Sequence, residues 1–342
     1  MIEIIKSAAL NTVQDTGRSG FRHMGVSVSG AMDPLALRAG NILLGNDENA
    51  ACLEIQIFPF SVRFLTDTSI AITGADCRAR LDDRDLPPWW GCSVKKGQQL
   101  TLQFPRGGAR SYLCVAGGID VPQVMGSRST ALRGSFGGYK GRALETGDRL
   151  PVGLSSAAAL PAAGIGIEPP TVAMAHAFPV SSDGVVQLRA IPAGEYALFA
   201  ADHARFWQQR WQVSRQSNRT GYRLSGEPIF PAETIEMRSY GLVPGIVQVP
   251  PAGEPIIQLS DANTAGGYPK IAGVIEEDLW RLGQIQPGQW LQLVKSEAGE
   301  AIVVAKEIER WLTKVRQSCS ALSGCAVKGI SMTACRSPLT AC

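Results

Sequence analysis

Residues 261–268 place a carboxylate, two hydroxyl groups and a pair of adjacent glycines within one short segment. Asp261 follows an apolar run, which puts it at the end of a predicted strand, and Thr264 and Tyr268 supply the hydroxyl groups. Carboxylate, hydroxyl and backbone donors in this arrangement can converge on a small polar amide and exchange protons with it. We therefore take Asp261, Thr264 and Tyr268 as candidate catalytic residues. An Asx-type turn closed by Asp261 and Asn263 is the alternative interpretation.

A second segment offers cationic groups for a negatively charged ligand. Arg219, Tyr222 and Arg223 lie close together in the sequence. They can form a fork around a carboxylate, because planar guanidinium groups bind carboxylates through paired hydrogen bonds. These three are candidate substrate-binding residues. A surface or interdomain salt bridge would explain the arginines equally well.

Further polar candidates lie in the first quarter of the chain. Gln14, Asp15 and Arg18 occupy a predicted turn, and Asp76 follows an apolar run at a predicted strand end. All four are candidate substrate-binding residues, although turn-closing hydrogen bonds would also explain the first three. Glu54 stands in an apolar context and is predicted to be a buried carboxylate that needs a partner.

Glycines recur between residues 134 and 141 beside basic side chains. Gly137 and Gly138, with Lys140, Arg142 and the nearby Arg128 and Arg133, could bind a phosphate group through backbone N–H groups and positive charge. A glycine-rich hairpin with solvated charges is the alternative. The sequence lacks a G-x-x-x-x-G-K-[ST] motif, so a nucleotide contact would not use a P-loop. The histidines show no metal-ligand spacing, and we predict neither a metal site nor a covalent nucleophile.

The elements that position these residues are predicted to be short strands. Hydrophobic residues make up 45% of the 342 residues, and the 37 glycines and 21 prolines are scattered between short apolar runs. Asp33 and Pro34 are the expected N-cap and first residue of a helix that ends near Gly45. Strands are predicted at residues 2–5, 61–65, 69–73, 99–104, 111–116, 185–190, 246–249, 255–259 and 290–294. Other helices are predicted at residues 204–209, around 275–283 and from near 296.

Composition divides the chain into four segments. Residues 1–153 and 185–316 are predicted to be two β-rich domains, the second ending in a helix. Residues 154–184 are rich in Ala, Pro and Gly and are predicted to be a linker or excursion. Residues 317–342 are rich in Ser, Ala and Cys without periodicity, and we expect a disordered tail.

Charge and hydropathy exclude several classes of partner. The formal net charge is +3 with no dense Lys/Arg run, so binding to nucleic acid is not expected. No apolar stretch approaches the roughly 18 residues that a membrane span needs. Residues 1–10 contain Glu3 and Lys6 and do not form the apolar core of a signal peptide. The sequence therefore predicts a cytoplasmic protein without a membrane partner.

Several motifs resemble one known family from about residue 2 to about residue 312. The motifs lie at residues 13–18 (Val-Gln-Asp-Thr-Gly-Arg), 29–33 (Ser-Gly-Ala-Met-Asp), 45–46, 116–119, 126–130, 217–224 and 261–269. They are similar to those of the family of C-type 5-oxoprolinase subunits, also called allophanate hydrolase subunit 2 or the A/B half of the biotin-dependent carboxyltransferase domain. The family usually has Met where Thr220 stands, and Gln and Thr where Asn263 and Ala265 stand.

The resemblance implies a mainly β fold with two cyclophilin-like β-barrel domains and a few helices. It also implies a non-autonomous subunit of an ATP-dependent 5-oxoprolinase, which helps to activate 5-oxo-L-proline for hydrolysis to L-glutamate. Its direct partner would be a B-type subunit and its functional partner an A-type subunit. ATP with Mg²⁺ would be required, this chain has no Met-Lys biotin-attachment motif, and Gln248 joins the candidate substrate-binding residues.

Phosphorylation of the lactam oxygen would make the ring a better electrophile, which requires cationic groups or a metal near the transferred phosphoryl group. Two other functions fit the same resemblance, because one fold can serve several reactions. One is a carboxyltransferase-type subunit acting on urea or a related amide. The other is a non-catalytic regulator that binds a kinase-inhibitor-like partner.

Overall fold

The computed structural model describes residues 1–233 and 236–327, with side chains described as far as residue 320. The prediction of a mainly β protein is confirmed, because strands outnumber helices in both halves. The N-terminal strands are β1 (Ile2–Lys6), β2 (Thr12–Gln14), β3 (Cys52–Ile55), β4 (Phe60–Phe64), β5 (Thr68–Asp76), β6 (Arg80–Leu81), β7 (Arg84–Asp85), β8 (Trp90–Val94), β9 (Gln99–Leu102), β10 (Gly107–Val115), β11 (Arg149–Leu150) and β12 (Ile165–Gly166).

The C-terminal strands are β13 (Val186–Pro192), β14 (Trp211–Val213), β15 (Gly221–Ser225), β16 (Tyr240–Gly241), β17 (Ile246–Gln248), β18 (Ile256–Gln258), β19 (Ala265–Gly266), β20 (Lys270–Val274) and β21 (Trp290–Lys295). The α-helices are α1 (Pro34–Leu43), α2 (Pro170–Ala173), α3 (His203–Gln208), α4 (Glu276–Leu282) and α5 (Ala298–Val327). Short 3-10 helices cover Arg22–Met24, Ala175–Ala177 and Tyr196–Asp202. No helix in the described ranges is long and apolar enough to cross a membrane.

The N-terminal half consists of two six-stranded sheets, in the orders β11-β1-β4-β9-β6-β7 and β12-β8-β5-β10-β3-β2. Alternate side chains of facing strands, such as Phe60 and Val62 of β4 and Ile70 and Ile72 of β5, are fully or almost fully buried in one core. This alternation is the period expected of strands that bury one face. The two central strands β5 and β10 pair antiparallel, with Tyr112 opposite Thr73.

Helix α1 covers the outer face of the second sheet. Asp33 is its N-cap, as predicted, and its side chain accepts a hydrogen bond from Ala36 N at 2.9 Å. The Thr73 hydroxyl donates to the Ala36 carbonyl at 2.7 Å and ties the helix to β5. Gly40 allows the close approach, because a Cβ there would lie 2.7 Å from Cys114 Sγ.

The C-terminal half is a closed barrel of seven strands in the order β13-β20-β17-β18-β15-β14-β21. The chain closes it by pairing β13 and β21 in parallel, with Leu188 opposite Leu293. Helix α4 is fixed to the barrel by a buried ion pair, in which Arg189 Nη2 lies 2.6 Å from Asp278 Oδ1. The predicted barrel is therefore present here, whereas the N-terminal strands form two facing sheets.

Residues 154–184, predicted as a linker or excursion, add β12 to the edge of the second sheet by pairing with β8. Helix α5 then returns from the barrel and packs on α1, with Val304, Ile308 and Leu312 buried in the cluster that surrounds α1. The helix continues beyond residue 316, where the sequence prediction placed the start of a disordered tail, and ends at Val327. The rest of that predicted tail, residues 328–342, lies outside the described residues.

We expect the docking of α5 to depend on its buried face. Leu312→Ala should lower the free energy of unfolding by about 2–5 kcal/mol, because it leaves a cavity where the side chain is fully buried. Ile302→Ala is the matched control on the same helix, since Ile302 is exposed, and it should change stability by less than about 0.5 kcal/mol. Urea denaturation followed by circular dichroism measures both. Equal effects of the two substitutions would contradict this packing.

Candidate functional site

A cleft of about 550 Å³ lies between the two halves of the molecule. Apolar side chains and a polar group around Arg219, here called the floor, line it together, which is typical of small-molecule sites. The apolar lining residues are Leu10, Ile57, Phe58, Phe104, Pro105, Ala109, Leu132, Ile285 and Pro287. The polar lining residues are Gln56, Arg110, Arg133, Ser217, Asn218, Arg219, Thr220, Tyr222, Asp261 and Gln286.

Arg219 belongs to this polar group, and its guanidinium group is buried. Its Nε and Nη2 donate to the two Asp261 carboxylate oxygens at 2.9 and 3.2 Å. Its Nη1 donates to Glu54 Oε1 at 2.5 Å, and Nη2 also donates to the Gly30 carbonyl at 2.6 Å. Burial acts to lower the pKa of Arg219, but the Asp261 and Glu54 carboxylates outweigh it and raise the pKa. Arg219 is therefore a buried cation whose ion pairs with Glu54 and Asp261 join the two halves.

Glu54 is the partner of Arg219 on the N-terminal side and is fully buried in β3. Its Oε2 accepts hydrogen bonds from Met32 N at 2.8 Å and from the Tyr112 hydroxyl at 2.7 Å. The Tyr112 hydroxyl accepts in turn from Asp33 N at 2.7 Å. The predicted buried carboxylate thus has its partner, and the network extends to the start of α1.

Arg110 makes the second cationic link across the interface. Its Nη1 donates to the Tyr222 hydroxyl at 3.0 Å and to the Gly283 carbonyl at 2.7 Å. The Tyr222 hydroxyl donates to the Ile285 carbonyl at 3.1 Å. Nε of Arg110 is buried, and the described part of the chain offers it no hydrogen-bond acceptor, although Glu54 Oε1 lies 3.8 Å away. Arg110 thus retains a donor that its surroundings leave unused.

The segment around Arg219 also presents groups to the cleft. Asn218 is exposed and Thr220 is half-buried, so they flank the buried Arg219 on the open side. The Asn218 Oδ1 atom closes a turn by accepting from Thr220 N at 2.8 Å. Within the described residues, the Asn218 amide nitrogen and the Thr220 hydroxyl have no hydrogen-bond partner. These two groups are free to contact a ligand.

The cleft therefore brings together Arg219, Tyr222 and Asp261 of the predicted site residues. Arg223 points away from it, because alternate residues of β15 face opposite sides and Arg223 is exposed. Tyr268 is also exposed, and Thr264 contributes a backbone carbonyl that accepts from Leu242 N. Neither residue lines the cleft.

Gln248 lies at the barrel end, where its side chain holds loop residues in place. Its Nε2 donates to the Tyr268 carbonyl at 3.3 Å, and its Oε1 accepts from Gln258 Nε2 at 3.1 Å. The neighbouring Lys270 ammonium also donates to the Tyr268 carbonyl, at 3.2 Å, and to the Gly266 carbonyl, at 3.0 Å. Gln248 therefore holds the loop that carries the predicted catalytic residue Tyr268. It does not line the cleft.

Asp15, Gln14 and Arg18 form a hydrogen-bonded turn, which was the alternative interpretation of these residues. The Asp15 carboxylate accepts from Gly17 N, Ser127 Oγ, Arg128 N and Ser129 Oγ at 2.5–2.8 Å. Gln14 Nε2 donates to the Thr130 carbonyl at 3.2 Å, and Arg18 Nη2 donates to the Ser129 carbonyl at 2.5 Å. These side chains connect the first turn to the loop at residues 127–130.

The glycine cluster predicted to bind phosphate serves packing in this structure. A Cβ at Gly138 would lie 1.8 Å from Thr130 Oγ1, and a Cβ at Gly137 would lie 2.8 Å from Arg18 Nη2. Arg142 is occupied by Asp148, with Nη2 to Oδ1 at 2.7 Å, and Lys140 is exposed beside the Tyr139 ring. Both glycines also have positive φ angles.

Asp76 stands at the end of β5, as predicted, and is separate from the main cleft. Its Oδ1 accepts from Arg78 N at 3.3 Å, and it lines two other clefts. Arg110, Tyr112 and Asn218 were not among the candidate residues predicted from the sequence, whereas Arg133 was named beside the glycine cluster as a possible anion contact. The available signal for Arg110 and Tyr112 was their position as a charged and an aromatic residue in the mostly apolar strand β10.

These features define a two-part β protein whose polar residues meet in a cleft between its halves. The family model for the carboxyltransferase domain, subdomain A and B, matches residues 24–295. The chain is 45% identical to the C-type 5-oxoprolinase subunit of Escherichia coli (strain K12) over 92% of this chain and 97% of that protein. It is 38% identical to the Haemophilus influenzae protein of the same name, over 93% of this chain and 98% of that protein.

A solved structure shares the architecture. The crystal structure of Kluyveromyces lactis urea carboxylase superposes with a TM-score of 0.81 and 29% sequence identity, covering 93% of this chain but only 29% of that chain. The chain therefore belongs to the carboxyltransferase A/B family, in the group of 5-oxoprolinase C subunits.

We expect the stability of the molecule to depend on the Glu54 charge. Glu54→Gln should lower the free energy of unfolding by about 3–5 kcal/mol, because it removes one of the two carboxylates that compensate the buried Arg219. Glu145→Gln is the matched control, since Glu145 pairs with Arg142 at the surface, and it should change stability by less than about 1 kcal/mol. Thermal and urea unfolding of both variants measures the difference. A Glu54→Gln protein as stable as the control would contradict the network.

Asp33 should make stability depend on pH. Burial raises the pKa of Asp33 to about 6, although hydrogen bonds from Ala36 N and Gln284 oppose the shift. Between the ordinary carboxyl pKa and this raised value, the folded state binds more protons than the unfolded state. The free energy of unfolding contributed by this group must then fall as pH rises from about 4 to about 6.

The Asp33→Asn variant isolates this effect, because Asn is also a good N-cap and does not titrate. The free energy of unfolding of the variant minus that of the wild type should increase between pH 4 and 6 and level off above it. A difference that is constant across this range would exclude the raised pKa.

Proposed function

We propose that this chain is a non-autonomous subunit of an ATP-dependent 5-oxoprolinase and helps to activate 5-oxo-L-proline for hydrolysis to L-glutamate. The observation that carries the proposal is the 45% identity to a C-type 5-oxoprolinase subunit over 97% of that protein's length. Because such an enzyme has more than one subunit, the proposal includes a direct B-type partner and a functional A-type partner.

The interdomain cleft is the proposed binding site for the lactam. The substrate is a small ring with an amide and a carboxylate, so it needs neutral polar groups for the first and a cation for the second. Asn218 and Thr220 supply an amide nitrogen and a hydroxyl at the floor, and Arg133 supplies an exposed guanidinium group at the side. The ion pair between Asp261 and Arg219 fixes the backbone segment that carries Asn218 and Thr220.

In this proposal Asp261 acts mainly as a positioning residue. Both of its oxygens accept from Arg219, so its orientation is fixed from the protein side. It also lines the cleft, where it can still accept a proton or orient water at its remaining lone pairs.

ATP with Mg²⁺ would supply the phosphoryl group that activates the lactam oxygen. The predicted glycine cluster does not fit this role, because Gly138 N and Gly141 N donate to the Arg128 and Gly137 carbonyls and Arg142 is paired. Across the described ranges no three His, Cys, Asp or Glu residues form a group that could hold a metal ion. We therefore assign the Mg²⁺ ligands to a partner subunit or to the phosphates themselves.

A second candidate function is carboxyl transfer to urea or a related amide. The likeness to Kluyveromyces lactis urea carboxylase, at a TM-score of 0.81, favours it. This reaction needs a biotin-carrying partner. Carboxylation of urea by the chain with a biotin carboxylase, and no response to 5-oxoproline, would select it over the first candidate.

Phosphate release by the chain co-purified with A-type and B-type partners tests the proposal. We expect 5-oxoproline to stimulate release, and Asp261→Asn to reduce the stimulated rate by about 100-fold or more, because charge and geometry at the floor are lost. Thr220→Val keeps the ion network and should reduce it by about tenfold through loss of one hydrogen bond.

Asp183→Asn is the control for both variants, since Asp183 pairs with Arg210 at the surface, and it should behave as the wild type. Gel filtration of each complex checks that the subunits still assemble. An assembled wild-type complex whose phosphate release ignores 5-oxoproline would reject the proposed activity.

A further inference from the structure

An arginine cluster from two loops, Arg18, Arg22 and Arg133, includes two members that contact one asparagine, Asn263. Arg22 Nη2 lies 3.5 Å from the Asn263 carbonyl oxygen, and Arg133 Nη1 contacts the Asn263 side-chain oxygen. Arg18 belongs to the same loop as Arg22. Ser29 N donates to the Ser260 carbonyl at 2.9 Å, which fixes this loop against the segment that carries Asn263.

The nearby carboxylates only partly offset the charge of this cluster, since burial lowers the pKa of Arg18 although Asp15 and Asp261 oppose that shift. Asp15 is the nearest acidic residue in sequence, and its oxygens are engaged by Gly17, Ser127, Arg128 and Ser129. Asp261 is paired with Arg219. None of the salt bridges found in the described part of the chain includes Arg18, Arg22 or Arg133.

Two of the guanidinium groups also carry unused donors. Nη1 of Arg18 and Nη1 of Arg22 are both buried, and neither finds an acceptor among the described residues. Arg18 is almost completely buried, packs over the Phe136 ring at 4.9 Å, and has its second terminal nitrogen on the Ser129 carbonyl. Burial lowers the pKa of Arg22, with no neighbouring carboxylate to oppose it. A buried cationic donor without an acceptor is costly, which favours a bound anion.

We infer that Arg22 and Arg133 form an oxyanion-binding site at Asn263, with Arg18 nearby in the loop of Arg22, and that this site holds the charged end of the ligand in the cleft. Arg133 lines the cleft and is exposed, so an oxyanion can reach the site by displacing its contact with Asn263. The bound group is a carboxylate or a phosphate, because both accept several hydrogen bonds from guanidinium groups.

The inference deepens the proposed function and rests on it for the identity of the ligand. If the ligand is 5-oxoproline, the site binds its carboxylate and leaves the lactam over Thr220 and Asn218. If the phosphate of ATP is the ligand, the same arginines stabilise the transferred group.

Isothermal titration of the full chain in its partner complex distinguishes these cases. The ligands are 5-oxoproline, 2-pyrrolidinone (the same lactam without the carboxylate), inorganic phosphate and a non-hydrolysable ATP analogue. Arg22→Gln and Arg133→Gln remove the charge at accessible positions, and Arg149→Gln removes a surface charge paired with Glu3 as the control.

We expect Arg22→Gln and Arg133→Gln to weaken the binding of one class of oxyanion by at least about tenfold, while Arg149→Gln has no effect. Loss confined to 5-oxoproline, with 2-pyrrolidinone unchanged, identifies the carboxylate. Loss confined to phosphate and the ATP analogue identifies the phosphoryl group. If all three variants bind every oxyanion as tightly as the wild type does, or if the wild type binds no oxyanion, the inference is overturned.

The outcome is separable from that of the proposed function. A wild-type complex that does not hydrolyse 5-oxoproline, but binds phosphate through Arg22 and Arg133, would reject the activity and keep the oxyanion site. A complex that hydrolyses 5-oxoproline with unchanged affinities in both variants would keep the activity and reject the site.

Discussion

The structure depends on one buried cation, Arg219, held between a carboxylate from each half of the chain. A guanidinium group transferred from water to the protein interior is stable there only when opposite charge and hydrogen-bond acceptors surround it. Glu54 and Asp261 provide the charge, and the Gly30 carbonyl completes the shell. Since Glu54 lies on a sheet strand of the first half and Asp261 follows a barrel strand, this shell forms in only one relative orientation of the two halves. The cleft is a consequence of that orientation.

The hydrogen bonds and ion pairs of Arg219 also decide which residues can bind a ligand. Arg219 and Asp261 looked like ligand-binding groups from their types and spacing, yet each satisfies the other. The groups left for a ligand are their neighbours, Asn218 and Thr220, because the turn that Asn218 closes leaves both residues on the open side of the buried Arg219. A motif can therefore lie at a candidate site while its most conspicuous side chain has a structural role. The ion network holds the backbone, and the backbone places the ligand-binding groups.

Local signals in the sequence predicted the local structure well. The Asp33 cap, the short strands and the amphipathic face of α5 each depend on residues within a few positions of one another, so the prediction needed no tertiary information. The docking of α5 on α1 and the pairing of Glu54 with Arg219 join residues far apart in the chain. The local sequence of a segment does not identify such a distant partner. For the same reason, the phosphate prediction for Gly137 and Gly138 could not include the packing of Arg18 and Thr130, which explains these glycines.

Charge balance connects the ion network to the arginine cluster beside it. Around Arg219 and Arg110, the carboxylates of Glu54 and Asp261 match the two guanidinium charges. At Asn263, the guanidinium groups of Arg22 and Arg133 contact only neutral oxygen atoms. An oxyanion bound there would lower this repulsion, and since the arginines belong to the first half while Asn263 belongs to the second, it would also strengthen the contact between the halves. Ligand binding and the closed orientation of the halves would then stabilise each other, as linkage requires of any ligand that prefers one state.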